Sequence, residues 1–220
     1  MRLKKFTIFL ILAIINPSLI FAQKVSIGGE FGLISSKNTN YKLTDIQNRR
    51  NTYYSGINFN YNYNEIITLT TGIDYLKQGY RHKTCYIFEE GVKNELVGKI
   101  DYLILPLSSN FHIGKRNKFI ITIGAYGGCN INAKQEYPEI IGGCGIYYPE
   151  DISNVTQKYM FGGLLGVGYN IYQNEKIEIK SMLKYYQGIS NTMSNNHPHD
   201  IVWTDRYSSL LMTFTIGYKL

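Results

Sequence analysis

The end of the chain alternates between apolar and polar residues, and this pattern constrains the fold more than any other feature. Every second residue is apolar from position 210 to the last position: Leu210, Met212, Phe214, Ile216, Tyr218 and Leu220. A period of two residues is typical of a β-strand with one apolar face. Small and polar residues hold most of the other face, and Leu211 is the exception.

The beginning of the chain has the features of an export signal. Basic residues within positions 2–5 precede an apolar run of about ten residues, the usual length of the hydrophobic part of a signal peptide. Ala22 supplies the small residue that signal peptidase requires. We therefore predict a signal peptide at 1–22 and a single domain at 23–220. The apolar run is too short to cross a membrane as a helix, which takes about 20 residues.

Seven further segments show the alternation of the terminal strand. The predicted strands lie at about 24–34, 52–62, 66–80, 97–112, 118–131, 157–171, 175–188 and 207–220. In the first seven, odd-numbered positions carry the apolar side chains, as at Ile27, Phe31 and Leu33. The opposite face is predicted to be small and polar. It holds most strand glycines together with Glu30, Asn58, Asn60, Asp74, Glu178, Lys180 and Lys184.

The connections between the predicted strands alternate in length. Three are short, at 63–65, 114–117 and 173–174, and four are long, at about 35–51, 81–96, 132–156 and 189–206. Outer-membrane barrels have short periplasmic turns and long extracellular loops. The sequence therefore predicts an all-β fold, an eight-stranded antiparallel transmembrane β-barrel of the bacterial outer membrane. A secreted soluble barrel or sandwich is the alternative, but its apolar face would point inward.

Four segments of the predicted strands also carry a family resemblance. They are Asp101–Leu107 (DYLILPL), Phe119–Gly127 (FIITIGAYG), Phe161–Tyr169 (FGGLLGVGY) and Phe214–Leu220 (FTIGYKL). Together they resemble the PorT-like outer-membrane β-barrel family of Bacteroidetes-type bacteria, over essentially the whole mature chain. The resemblance rests on strand patterning and implies a barrel in the outer membrane. One founding member of that family is tied to protein secretion.

Charged residues on the inward face bear on whether the barrel conducts. The interior of an eight-stranded barrel is just wide enough for its own side chains. We therefore predict that Asp74, Glu178, Lys180 and Lys184 pair with one another and close the channel. A narrow pore for small solutes is the alternative.

One loop carries the residues that most resemble an enzyme site. His197, His199 and Asp200 lie close together, and Ser208 or Ser209 could supply a hydroxyl nucleophile, as in barrels that modify lipids. The spacing shows no third residue that would orient a base. We therefore predict no catalytic, cofactor-binding or metal-binding residues, and a lipid-modifying enzyme stays a minor alternative.

Three cysteines follow the predicted export signal. Oxidising compartments permit disulfides, and Cys129 and Cys144 both fall near the same long loop. This proximity favours a Cys129–Cys144 disulfide, with Cys85 left over.

The long loops carry the candidate contacts with other molecules. Net charge is +7, and arginine forms strong charge-assisted contacts with phosphate. Basic loop residues are therefore candidates for contact with lipopolysaccharide: Lys37, Lys42, Arg49, Arg50, Arg81, His82 and Lys83. In the third long loop, 142–145 is glycine-rich and 147–149 is aromatic, which suits either partner binding or closure of the barrel mouth.

These features predict a non-enzymatic role. We expect a structural, adhesive or partner-binding outer-membrane protein, accessory to an envelope or secretion assembly. The expected partners are outer-membrane lipid and an envelope protein, with no nucleic acid.

Overall fold

The computed structural model describes residues 25–38, 47–83, 95–114, 118–136, 150–154, 156–191 and 206–220. Its strands are β1 (Val25–Asn38), β2 (Gln47–Asn62), β3 (Ile67–Lys83), β4 (Glu95–Ile113), β5 (Phe119–Glu136), β6 (Glu150–Asp151), β7 (Tyr159–Gln173), β8 (Ile177–Gly188) and β9 (Tyr207–Lys219). All pairings are antiparallel, and β1 pairs with β9 to close the sheet. The two-residue β6 only adds to the end of β5. Eight strands thus form a closed barrel, which confirms the predicted fold.

The connections distinguish the two ends of the barrel. Short turns at 63–66, 114–118 and 174–176 join β2 to β3, β4 to β5 and β7 to β8. The side-chain Oδ1 atoms of Asn64 and Asn174 each accept two backbone N–H bonds within their turns, at 2.6–2.9 Å. Short turns face the periplasm in outer-membrane barrels. The end that carries these turns is therefore the periplasmic end, and the opposite end is extracellular.

The outer wall of the barrel is apolar through its middle, as the alternation predicted. Phe31, Phe161 and Leu165 are 54%, 58% and 55% exposed, whereas inward Glu30 is only 5% exposed. The outward side chains of β9 come from even positions, and Met212 is 53% exposed. Such an apolar band is the surface that meets lipid. Within the described residues, no helix is long and apolar enough to cross a membrane.

The first five strands extend further towards the extracellular end than their hydrophobic pattern predicted. β1 ends at Asn38 rather than 34, β2 begins at Gln47 rather than 52, and β5 ends at Glu136 rather than 131. Polar residues fill these extensions, so the apolar alternation stops while the backbone ladder continues. Because backbone hydrogen bonds hold the strands together, a strand can continue past the apolar residues by which it is recognised in the sequence.

The wall has three register irregularities. One lies in β2 between Arg49 and Tyr54, and the other two change which positions point inward. The β4–β5 register places Tyr102 opposite Asn130 and Asp101 opposite Asn132, which leaves Ile131 as an extra residue. Beyond it, odd-numbered Ala133 is fully buried. A second extra residue, Ile171, lies in β7. An inserted residue reverses the side to which all later residues of its strand point. Beyond each bulge, odd-numbered residues therefore no longer point outward.

Two glycines of β1 provide a matched test of how closely the interior is packed. A Cβ at inward Gly32 would overlap the backbone of Met212 and Thr213, whereas a Cβ at outward Gly29 would meet nothing within 4 Å. Gly32→Ala is expected to lower the free energy of unfolding by about 1–3 kcal/mol through overpacking. Gly29→Ala is expected to raise it by about 0.5 kcal/mol, since glycine is unfavourable within strands. Urea unfolding of both refolded variants measures this, and equal effects would contradict it.

Candidate functional site

Hydrogen-bonded polar side chains fill the periplasmic half of the interior. The Asn60 amide donates to Ser26 Oγ at 3.2 Å, and Thr70 Oγ1 donates to Asn60 Oδ1 at 2.6 Å. The Asn110 amide donates to Thr70 Oγ1 at 2.8 Å, and Thr122 Oγ1 donates to Asn110 Oδ1 at 2.6 Å. This chain of donors and acceptors crosses from β1 to β5, so polar groups that lie out of water find partners within the wall itself.

Ion pairs lie within this polar half. Lys180 Nζ is 2.7 Å from Glu178 Oε1, and Lys184 Nζ is 2.6 Å from Glu30 Oε1. The pairing predicted among the inward charges is thus confirmed for Lys180 and Glu178, whereas Lys184 pairs with Glu30, which the prediction did not include. Asp74 differs, because its Oδ2 accepts a hydrogen bond from the Tyr54 hydroxyl at 2.6 Å.

Large apolar and aromatic side chains fill the extracellular half of the interior. This apolar cluster comprises Ile34, Tyr54, Leu76, Tyr80, Ile100, Tyr102, Ile104, Tyr126, Ala133, Ile152, Met160, Leu164, Tyr186, Tyr207 and Leu211. The prediction that the inward face is small and polar is therefore wrong for this half. Rings pack directly against each other, as for Tyr126 and Tyr186, whose centroids are 4.9 Å apart. The sequence signal was present: most cluster members occupy even positions near the long-loop ends of the strands.

One segment from the third long connection folds back over the mouth. Ile152 is 6% exposed within the apolar cluster, and its N–H donates to the Ala133 carbonyl at 3.1 Å. Thr156 fixes this turn, because its N–H and its hydroxyl donate to the Ile152 carbonyl at 3.0 and 2.8 Å. Of the two roles predicted for the third loop, closure of the mouth fits this part; residues 142–149 lie outside the described residues.

The polar half of the barrel is open at its periplasmic end, where a pocket of about 550 Å³ is lined by residues that include Asn62, Thr68, His112 and Glu178. A cavity of 30 Å³ lies among Glu30, Asn58, Lys180, Lys184 and Thr215. This is room for about two or three water molecules, since about 10–15 Å³ of such space holds one. The ion pairs and the apolar cluster above this cavity occupy the interior of the described part of the barrel.

The residues of the enzyme-like loop are only partly placed. His197, His199 and Asp200 lie outside the described residues. Ser208 and Ser209 are 2% and 0% exposed, and Ser209 Oγ accepts a hydrogen bond from the Gln78 amide at 2.9 Å. Both serines are therefore buried, and Ser209 lies inside the barrel, which is a poor position for a nucleophile that must reach a lipid.

Another histidine contacts a hydroxyl at the periplasmic end of the interior. His112 Nε2 lies 2.9 Å from Thr68 Oγ1, which itself donates to Asn62 Oδ1 at 2.7 Å. Since the Thr68 proton is used on Asn62, His112 donates to Thr68 and does not act as its base. In the described part of the chain, no three His, Cys, Asp or Glu side chains are grouped to hold a metal ion.

The described cysteine lies on β5. Cys129 is partly exposed and is a free thiol, so the predicted Cys129–Cys144 pairing is not present in the structure. Cys85 and Cys144 lie outside the described residues.

Basic side chains gather on the outer wall at the extracellular end of β2 to β5. We call Arg50, Lys77, Arg81, Lys99 and Lys134 the rim cluster. Arg50 lies across Gly79, where an added Cβ would be 2.9 Å from its Cδ and Nη1 atoms. Its Nη1 donates to the Gln78 carbonyl at 2.6 Å. Arg50 and Arg81 were predicted as loop contacts; Lys77 and Lys99 were missed because they lie within predicted strands, and Lys134 was missed although it lies in the predicted third loop.

Tyrosines and acids hold the rim cluster in place. Lys77 Nζ donates to the Tyr53 hydroxyl at 2.5 Å and lies 4.3 Å from the centre of its ring. Lys99 pairs with Glu136. Of the other predicted basic residues, Lys37 lies on β1 and Arg49 on β2, the side chains of His82 and Lys83 are not described, and Lys42 lies outside the described residues.

Comparisons with known proteins agree with the barrel. The family model described as "Outer membrane protein beta-barrel domain" matches residues 21–194. Similar solved structures include Ail, the attachment invasion locus protein of Yersinia pestis, at 13% identity and TM-score 0.44, covering 88% of this chain and 99% of that one. OprG of Pseudomonas aeruginosa has 14% identity and TM-score 0.44, with 90% and 97% covered. Outer Membrane Protein W of E. coli has 16% identity and TM-score 0.38, with 90% and 99% covered.

No protein of curated function matches the chain in sequence. The family model, however, spans well over half of the 220 residues. The protein therefore belongs to the family of outer membrane protein beta-barrel domains and resides in the bacterial outer membrane.

Proposed function

We propose that this protein is a closed, non-conducting barrel whose extracellular rim and loops carry a structural, adhesive or partner-binding role. A second part of the proposal is a link to the PorT-like barrels, with the protein as accessory to an envelope or secretion assembly. The predicted signal peptide at 1–22 would deliver the chain across the inner membrane for this role. No enzymatic activity is proposed.

The filled interior carries this proposal. A pore needs a continuous aqueous path, and the interior of an eight-stranded barrel is just wide enough for its own side chains. Here the apolar cluster blocks the extracellular half, and Ile152 is buried within it. The ion pairs Lys184–Glu30 and Lys180–Glu178 occupy the polar half. The filled interior does not favour transport, and the described serines, the candidate nucleophiles of an enzyme, are buried. The proposal therefore assigns the role to the outward surfaces.

Conductance distinguishes the closed barrel from a narrow pore. Protein refolded into planar lipid bilayers is expected to give no discrete current steps, while a wide porin in the same bilayers serves as positive control. Gel migration of unboiled against boiled samples shows that the barrel is folded, because closed barrels resist detergent. Discrete openings that change when Lys184 is replaced would overturn the closed-barrel proposal in favour of a small-solute pore.

Partner capture tests the second part of the proposal. The tagged protein, cross-linked in native outer membranes and purified, is expected to bring a stoichiometric envelope protein with it. Recovery of the barrel alone would contradict the assembly role and leave adhesion to other surfaces as the role to test. Unchanged lipid A in cells that carry His197→Ala and His199→Ala would count against the enzyme alternative.

A further inference from the structure

The rim cluster combines an excess of positive charge with a position at the extracellular end of the outer wall. The side chains described there include five cations and only three carboxylates, those of Asp101, Glu136 and Asp151. The cluster spans neighbouring strands, since Lys77 pairs with Asp101, Gly79 with Lys99, and Lys99 with Lys134 across the sheet. The positive charge therefore forms one continuous patch rather than scattered residues.

The carboxylates of this patch are already engaged by the protein. Asp101 Oδ2 accepts hydrogen bonds from the Tyr75 hydroxyl at 3.0 Å and the Asn132 amide at 3.2 Å. Arg50 also interacts electrostatically with Asp101 and Glu136. Glu136 pairs directly with Lys99, and three carboxylates against five cations leave the patch with a net positive charge. An ammonium such as that of Lys77 still has two N–H groups to donate after its bond to Tyr53.

The patch adjoins the lipid-facing surface directly. Below it, the outward residues Tyr53, Leu103 and Ile131 are 54%, 42% and 55% exposed. Beside Tyr53, a groove of 560 Å³ runs over the outer wall towards β8, lined by apolar side chains that include Leu33, Leu183, Leu210 and Met212. Tyr53 thus borders both surfaces, with the Lys77 ammonium over its ring. A ligand that carries phosphate and acyl chains in one molecule matches this arrangement.

We propose that the rim cluster, with the groove beside Tyr53, is a binding site for a phosphorylated lipid of the outer leaflet. The phosphates of the lipid accept hydrogen bonds from Arg50, Lys77 and Lys99, and an acyl chain of the lipid lies in the groove. Charge-assisted bonds to phosphate are the strong class of hydrogen bond. This site requires the outer-membrane location but does not require a closed lumen. Failure of the lipid site and failure of the proposed function are therefore separate experimental results.

Lipid titration of the refolded protein tests this site, with bisphosphorylated lipid A as the probe. Lys77→Gln/Lys99→Gln is expected to weaken binding by about tenfold or more, since two charge-assisted bonds are lost. Lys158→Gln/Arg206→Gln removes the same charge from the same end of the barrel but outside the cluster, and is expected to leave binding within about twofold. Lys77→Arg/Lys99→Arg keeps the charge and is expected to restore most of the affinity, and gel migration verifies folding of each variant.

The number of phosphates on the lipid, and competition by free phosphate, distinguish a lipid site from a general anion site. Wild type is expected to bind monophosphorylated lipid A more weakly than the bisphosphorylated form. Equal affinity for the two lipids, or equal weakening by both double glutamine variants, would overturn the site. Displacement of bound lipid A by millimolar inorganic phosphate would show a free-phosphate site and overturn the assignment to lipid.

Discussion

Leu165→Arg is expected to lower the free energy of unfolding by about 2–4 kcal/mol, the cost of an arginine at the bilayer midplane. Leu165 lies near the centre of β7 and is 55% exposed on the outer wall. Its cross-strand neighbours, Ile123 and Tyr185, are also outward and exposed. The new guanidinium would therefore meet hydrocarbon, with no acid directly opposite it on the adjoining strands.

Tyr159→Arg provides the control for depth within the membrane. Tyr159 is the first residue of the same strand and is 64% exposed, so an arginine there reaches the interface, where its cost falls to about 0–1 kcal/mol. Urea unfolding in lipid vesicles, followed by the gel migration of folded and unfolded forms, measures both variants. If the two variants lose equal stability, the apolar wall is not the lipid-facing surface.

Hydrophobic alternation was enough to predict the barrel because the wall meets two different media. Phe31, Leu165 and Met212 face lipid, and Glu30 and Lys184 face the interior, so each strand carries a signal of period two. The closing pair of β1 with β9 follows from an even number of antiparallel strands. Alternation depends only on which side of the wall a residue faces. It therefore predicted the topology correctly but underestimated the lengths of the strands.

The contents of the interior were harder to predict, since facing inward does not fix the depth of a residue. Tyr102 and Tyr186 occupy the same face as Glu30 but lie in the extracellular half, where they pack as apolar residues. Ala133 lies inside because Ile131 is an extra residue in its strand. A bulge depends on pairing between two strands, and that information is absent from the hydrophobic pattern of either one.

The rim cluster shows the same limitation for function. Lys77 is far in the sequence from Lys99 and Lys134, and only the strand register brings the three together. Basic residues in loops stand out in the sequence, whereas strand lysines at apolar positions look like breaks in the pattern. Arg50, assigned to a loop, is part of β2 and is oriented by the small residue Gly79.

Lys184→Met is expected to cost about 3–5 kcal/mol of stability, because it leaves buried carboxylates without their counter-charge. Lys184 Nζ lies 2.6 and 2.9 Å from the two carboxylate oxygens of Glu30, whose side chain is only 4% exposed. Asp74 also interacts electrostatically with Lys184. Glu30→Gln is expected to cost less than Lys184→Met, since Asp74 then remains as an acid for the lysine.

A double-mutant cycle separates the ion pair from simple loss of packing. Glu30→Gln/Lys184→Met is expected to be more stable than the sum of the single variants predicts. Each single variant leaves one charge of the pair buried without its partner, whereas the double variant removes both charges. Lys99→Met, which breaks the solvent-exposed pair with Glu136, should cost at most about 1 kcal/mol. Urea unfolding in vesicles measures all four variants. If Lys184→Met costs no more than Lys99→Met, the interior pair is solvated, and the polar half of the barrel is wet enough for its charges to serve conduction rather than closure.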